Sequence, residues 1–315
     1  MDAREIFDEL ISKRLKPIVL CYEPYQDKYR THPYYHVLDE KFEQNFSTLL
    51  FDSIVFYAYE KNEIECEYKK GRLDNLHKAA RNAYENRVQK TERKFDGLMG
   101  ELALDVFLKS FFSNIELLYS RVKYSERCPR KEAELERKGH EIKGYDGIVF
   151  SCENGRKCIW VGQVKTGTWT YCFEGIKEDI NKSIIDYYFT DAMAILADIM
   201  RSASDVSPTL EKIIDDINDI ILDHPTDRKL KKDTLLKYFQ EEDILIRIPC
   251  LIMATEEDYD PENLLQKIKE RCSGAFKDYH LKNEAGLNVE VVLMVLPVRG
   301  LERLRATFLK ERIVE

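Results

Sequence analysis

Three side chains in one short stretch of this chain have the types and the spacing to hydrolyse a phosphodiester. They are Asp146, Gln163 and Lys165, set in Gly144-Tyr145-Asp146-Gly147-Ile148 and Ile159-Trp160-Val161-Gly162-Gln163-Val164-Lys165-Thr166-Gly167. Asn154-Gly155 separates the two apolar runs, and Asn-Gly between β-rich runs is the strongest short-range hairpin signal. With those two residues as the turn, directly opposed residues have numbers that add to 309, and 146 with 163 is such a pair. Asp146 then faces Gln163 with Cβ atoms about 4.5–5.5 Å apart. Lys165, two residues further on, projects from the same face because strand side chains alternate. Such a group can hold a hard divalent cation, which activates water and offsets charge in phosphodiester hydrolysis. Asp146 is the strongest candidate ligand. Gln163 offers a neutral carbonyl oxygen, weaker than a carboxylate, and the Val164 main-chain carbonyl is a further donor. Lys165 is the cation that lowers the pKa of the attacking water or stabilises developing charge. Glu101, on a preceding helix, can complete the shell or position the water.

Each of these residues also has an ordinary interpretation. Asp146-Gly147 can be a simple turn, Lys165 a solvated strand-end lysine, and Gln163 a surface residue. Glu101 stands at four-residue spacing with Asp105 and Lys109, a polar stripe that periodicity alone assigns to a solvated face. Opposed Asp and Gln with an in-phase Lys, after a helix bearing Glu, is more specific than any one member.

The elements that must position these residues follow from the apolar pattern. Residues 3–15 read as a short amphipathic helix, and Pro17, Pro24 and Pro33 punctuate an aromatic segment from Tyr22 to Tyr35. Leu49 to Tyr57 predicts a strand, and residues 73–92 a polar, helix-prone connector. Leu98 to Phe112 reads as a largely buried helix, Ile115 to Val122 as a strand, 125–143 as a charged loop or short helix, and 144–166 as the hairpin. Helices are expected over Glu174–Asp186 and Ala192–Met200. Leu210, Ile213, Ile214, Ile217, Ile220 and Ile221 form one apolar stripe of a further helix, whose other face carries Asp215, Asp216 and Asp219. Residues 224–242 are polar and read as a mobile or helical segment. Ile246–Thr255 and Val289–Val298 are apolar strand runs, the second of them nearly throughout, so buried on both faces. Helices Glu262–Cys272 and Leu301–Arg312 follow them. From residue 95 this order predicts a three-layer α/β domain with a mixed sheet between helices. The chain divides into a smaller N-terminal α+β region, 1–94, and a domain over 95–315.

Composition bounds the rest. The chain has 315 residues, 44% hydrophobic and 34% charged, with a net charge of −8. That balance excludes a protein that coats nucleic acid through global charge but leaves room for a local basic groove. No stretch approaches the roughly 18 apolar residues of a membrane span, and the polar start Met1-Asp2-Ala3-Arg4-Glu5 lacks the layout of a secretory signal, so the chain reads as cytoplasmic. Its eight cysteines are scattered without metal-site spacing and read as reduced, structural thiols. His32 and His36 are four apart, but Pro33 disfavours a helix between them, and a loop is expected there rather than a metal pair. Lys177 and Lys182 can touch phosphates or be solvated, as can the basic run Arg228 to Lys232 in a polar loop. The acidic face at 215–223 is expected to face solvent, with docking of a basic partner the lesser alternative. Neither a Gly-rich phosphate loop nor a Gly-x-Ser-x-Gly elbow is present.

The order Glu101 on a helix, Asp146, then Gln163-x-Lys165 resembles the PD-(D/E)xK nuclease superfamily. More narrowly, Gly100-Glu101 before an apolar helix, Tyr145-Asp146-Gly147-Ile148 and Trp160-Val161-Gly162-Gln163-Val164-Lys165 resemble the HamA family of nuclease subunits from Hachiman antiphage systems, over roughly residues 95–300. The resemblance implies a restriction-endonuclease-like core and a Mg²⁺ (or Mn²⁺)-dependent DNase. It also implies a superfamily-2 helicase partner, HamB, that keeps the nuclease inactive until abnormal DNA is met. Asp146, Lys165 and Glu101 match the family roles, with Asp146, Gln163, Glu101 and Val164 as the metal donors. Gln163 departs from the usual Glu, and the loss of one formal charge weakens metal affinity. A catalytically inactive nuclease fold serving as a binding or regulatory subunit, and a stand-alone restriction or repair nuclease, stay open as alternatives.

Overall fold

Runs of apolar residues with helical and strand periods condense here around one mixed sheet, which has helices on both faces. The computed structural model describes residues 1–88, 95–112, 115–116, 147–153, 155–185, 193, 208–283 and 286–311. The first helix, α1, opens with a reciprocal capping box. The Asp2 side chain accepts from the Glu5 N–H and the Glu5 side chain accepts from the Asp2 N–H. It runs Ala3–Phe7, winds through a π-turn at Asp8–Ser12 and finishes at Lys13–Leu15. Strands β1 (Val19–Cys21), β2 (Tyr25–Gln26) and β3 (Arg30–His36) follow. Next come α2 (Phe42–Asp52), α3 (Ile54–Ala58), α4 (Lys61–Lys69), α5 (Leu76–Ala83) and the long α6 (Phe95–Phe111).

Leu49 to Tyr57, expected as a strand, is helical instead and is split between α2 and α3. All nine residues are buried, so no alternation separates strand from helix, and an apolar run of this kind is ambiguous on period alone. The break falls at Ser53, whose hydroxyl donates to the Leu50 carbonyl.

The remaining elements are β4 (Ile115–Glu116), β5 (Gly147–Glu153), β6 (Arg156–Gly167), α7 (Trp169–Ile185), α8 (Pro208–Asp223), α9 (Arg228–Glu241), β7 (Leu245–Thr255), α10 (Pro261–Phe276), β8 (Asn288–Val298) and α11 (Leu301–Lys310). The basic run Arg228 to Lys232, expected in a loop, forms the start of α9, because Asp227 caps it by accepting the Leu230 N–H at 2.9 Å. Helix α7 begins at Trp169, ahead of the expected Glu174. Of the expected helix over 192–200 only Met193 is described, and it is helical; most of 115–122 and all of 125–143 lie outside the described residues.

The sheet order is β1-β3-β8-β7-β6-β5-β4, with β2 on β3. Strands β3, β8, β7 and β6 run parallel, and antiparallel β1 and β5 flank them. Strand β7 is buried at every position but Thr255, as expected of a parallel strand covered on both faces. Its one charged residue, Arg247, pairs with Glu153 and Glu290 at 2.5 Å each and lies 4.5 Å from the Trp160 ring. The hairpin has the expected register from Gly147 opposite Gly162 to Glu153 opposite Arg156. Asn154 lies outside the described residues, but Gly155 has φ +81°, a left-handed conformation that glycine adopts without strain. Strands from residues 19–36 and from 147–298 share this one sheet, and the expected boundary at 94 adjoins 89–94, outside the described residues.

Two cores result. Helices α1, α2, α3, α4, α5, α6 and α11 contribute to the core on one face, and α7, α8, α9 and α10 to the core on the other. His32 and His36, expected in a loop, sit on strand β3. The His32 ring lies 5.0 Å from Phe112, and His36 stacks between Phe42 at 3.9 Å and Tyr259 at 4.3 Å. The Nε2 atom of each is buried with no hydrogen-bond partner among the described residues. Burial pushes both rings down from 6.5 to about 4. Between those values the unfolded chain takes up protons that the folded chain refuses. Stability is therefore full above pH 6.5 and declines as pH falls toward 4, by up to roughly 3 kcal/mol per ring. Urea titrations at pH 7 and pH 5 should show this loss. A His32→Phe/His36→Phe variant should lose less between the two pH values than the wild type.

Candidate functional site

Strand β6 alternates between the two cores, and that alternation sorts the candidate residues. Cys158 and Trp160 pack in the core under α6, while Ile159 and Val161 pack in the core under α7. The pairing with β7 keeps one register on both sides of residues 161 and 162, so the parity carries through. Gln163 and Lys165 face α7, and Val164 and Thr166 face α6. Two glycines mark the contacts. A Cβ on Gly100 of α6 would lie 3.3 Å from both Val164 methyl groups and 3.6 Å from Thr166 Cγ2. A Cβ on Gly175 of α7 would lie 2.8 Å from Lys165 Cε. The lysine stem therefore crosses the helix where a side chain is missing.

On the α7 face Gln163 is 2% exposed. Lys165 Nζ stands 2.5 Å from Asp179 Oδ2, with each side chain 24% exposed. Cys250 and Ile252 of β7 lie beside Gln163 and Lys165 and are buried, an apolar floor that strengthens local electrostatics. The ladder between β6 and β7 lapses just before Gln163. Trp160 pairs with Arg247 and Gln163 with Cys250, but Val161 and Gly162 have no β7 partner. There β7 presents Ile248 and Pro249, and proline has no N–H to give.

The strand end is held from the other core. Arg305 Nη2 of α11 donates to the Thr166 carbonyl and to Thr166 Oγ1, both at 2.8 Å. Burial pushes the Cys172 thiol, in the first turn of α7, up to about 12, against the opposing charges of Arg305 and Lys165. A thiol at that value stays protonated and is no nucleophile.

Of the expected site residues, Gln163, Val164 and Lys165 are contiguous on β6, and Gln163 and Lys165 share a face. Asp146 lies outside the described residues. Glu101 stands on α6, the helix covering the face opposite Lys165, and its carboxylate accepts from Tyr57 Oη at 2.6 Å. The stripe that contains it is not the solvated face expected from periodicity. Lys109 is 1% exposed, with Nζ 2.7 Å from Asp105 and 5.7 Å from the Phe7 ring, and Ser110 Oγ lies 2.9 Å from Ser12 Oγ. The N-terminal helices cover it, which periodicity cannot reveal. Lys177 pairs with Glu174 at 2.7 Å, and the Lys182 side chain lies outside the described residues. On α8, Asp215 and Asp219 are exposed, and Asp216 accepts from Tyr238 Oη at 2.8 Å.

Asp179 and Arg305 escaped the sequence analysis. The spacing Tyr171, Gly175, Asp179 is a one-face helical series that could have found the first. Arg305 reaches Thr166 across 139 residues of sequence, and no local pattern reports it. Among the described residues, no cluster of three or more His, Cys, Asp or Glu side chains has metal-site geometry, the cysteines are free, and no helix is long and apolar enough to cross a membrane.

A family model described as HamA matches residues 7–312. No curated protein matches the chain.

The two glycine contacts differ in what can yield. At Gly100 the neighbour is a branched side chain on a central strand, so Gly100→Val should overpack the joint and cost about 1–3 kcal/mol. At Gly175 the neighbour is the far end of a lysine, which can swing away. Gly175→Ala should leave stability unchanged or raise it by up to about 1 kcal/mol through helix propensity. Thermal unfolding of the two variants checks the contrast.

Proposed function

We propose that this chain, which belongs to the HamA family and is therefore an antiphage defence protein of the Hachiman type, is a divalent-metal-dependent DNA nuclease and the effector of a complex with a superfamily-2 helicase. The observation that carries the proposal is the shared face of Gln163 and Lys165. Gln163, which is buried, and Lys165 stand two residues apart on one face of β6, over the buried Cys250 and Ile252 and at a lapse in the central ladder, with the Lys165 ammonium on the Asp179 carboxylate. The donor types fit a hard cation, because the amide, main-chain carbonyl and carboxylate groups of this region are all oxygen donors.

In this proposal Asp146, Gln163 and the Val164 carbonyl would hold Mg²⁺ or Mn²⁺; Glu101, the fourth expected donor, stands on α6 over the other face of β6, where it accepts from Tyr57. The hairpin register supports the role of Asp146, since the residue before Gly147 is the one due opposite Gln163. The bound ion supplies a water of lowered pKa and offsets phosphate charge. Lys165 stabilises the developing negative charge beside the attacked phosphate. The apolar floor of Cys250 and Ile252 keeps bulk water from screening that charge. DNA binding is local, because the chain as a whole carries a net charge of −8 and repels a polyanion outside the site. The helicase partner would hold the nuclease latent until it engages abnormal DNA.

One observation favours a second reading. Gln163 is neutral where the metal-binding member of the motif is usually acidic, which suits a nuclease fold retained as a regulatory subunit. A plasmid-cleavage assay on the purified chain, free of any co-purified partner and with and without Mg²⁺, separates the two. The nuclease proposal expects Mg²⁺-dependent cleavage that Lys165→Ala lowers by at least about a hundredfold. The variant should keep its thermal midpoint, because a quarter-exposed ion pair contributes at most about 1 kcal/mol. Undiminished cleavage by Lys165→Ala would remove the lysine from the mechanism. No cleavage by the partner-free wild type would favour the regulatory subunit.

A further inference from the structure

We infer that Asp179 is a metal-site residue of this chain: its carboxylate supplies, from helix α7, the negative charge that Gln163 does not bring from the strand. The inference rests on the nuclease proposal above and assigns a residue that the motif does not contain.

Position comes first. Helix α7 doubles back along β6, and the two stay in step. A Cβ on Gly167 would lie 3.0 Å from the Tyr171 ring, and the Lys165 stem crosses Gly175. Four helical residues rise about 6 Å and two strand residues about 6.6 Å. The series Gly167 with Tyr171 and Lys165 with Gly175 therefore continues to Gln163 with Asp179. The 2.5 Å contact between Lys165 Nζ and Asp179 Oδ2 agrees with that placement.

Charge comes second. Gln163 is 2% exposed and its amide is neutral, so it brings no negative charge to this face. Asp179 is 24% exposed and paired with Lys165, so its carboxylate stands at the solvent side of this face. A hard divalent ion binds more tightly as the anionic oxygens around it increase. Asp179 is a carboxylate on the same face as the amide, next to the cation proposed for catalysis.

Stability does not account for the arrangement. A glycine in the middle of a helix weakens it about as much as a partly exposed ion pair returns. Gly175 lies midway along the 17-residue helix Trp169–Ile185, and its open side admits the lysine that meets Asp179. The contact thus has a cost that function can justify and folding does not.

Calorimetric titration of the purified full chain with Mg²⁺ tests this without relying on cleavage. Asp179→Asn should weaken Mg²⁺ binding by roughly tenfold or more at an unchanged thermal midpoint, and Asp179→Glu should retain most of the affinity. Gln163→Glu added to Asp179→Asn should restore binding toward the wild-type value, because it returns the charge to the strand. If the wild type binds Mg²⁺ and Asp179→Asn binds it as tightly, the assignment of Asp179 is wrong while the nuclease proposal stands. Weakened binding that Gln163→Glu does not recover would overturn the charge-replacement claim. A wild type that binds no Mg²⁺ would sink the nuclease proposal itself.

Discussion

Strand β6 is held between two helices that each lack a side chain at the point of contact, and the rest of the site depends on that clamp. Gly100 lets α6 settle on Val164 and Thr166 from one side, and Gly175 lets the Lys165 stem lie across α7 on the other. Strand β6 cannot slip by one residue, because a slip would send Lys165 into the core under α6 and Val164 toward α7. The parity of one strand therefore decides which helix supplies partners to the lysine. It also explains why the residues that meet there come from distant parts of the chain.

The clamp extends outward through charge. Arg305 ties the end of β6 to the last helix through the Thr166 carbonyl and hydroxyl. At the other end of the sheet Arg247 joins β5, β7 and β8 through Glu153 and Glu290. A buried guanidinium is costly unless its hydrogen bonds are met, and two carboxylates meet them here. One arginine thus holds the end of β6, and another, lying over Trp160, ties together the strands around it. Between them lies the buried face that Gln163 occupies.

What the amino-acid order revealed was local and periodic. Asn154-Gly155 set the hairpin register, and the isoleucines from 213 to 221 set helix α8. The run at 289–298, apolar but for Glu290, announced a strand covered on both faces. Contacts between elements were harder to read. Leu49 to Tyr57 is buried at every position, so no period survived to distinguish helix from strand. Glu101, Asp105 and Lys109 do share a face, yet periodicity cannot say what packs against it, and the N-terminal helices do. Asp179 became visible only once α7 was seen to run back along β6, since its relation to Lys165 is a property of two elements rather than of a motif.

Pro249 gives the sheet an unequal stiffness. Strands β6 and β7 are bonded up to Trp160 and again from Gln163, and between those points a missing donor leaves two residues of β6 without a β7 partner. Main chain released from a neighbour twists at lower cost than main chain locked into a ladder. The seam is therefore compliant where the two flanking blocks are rigid. Gly162, opposite Gly147 at this level, adds freedom from the other neighbour. Small rotations of the strand can be absorbed there without disturbing either hydrophobic layer, much as a score line lets a stiff card fold in one place.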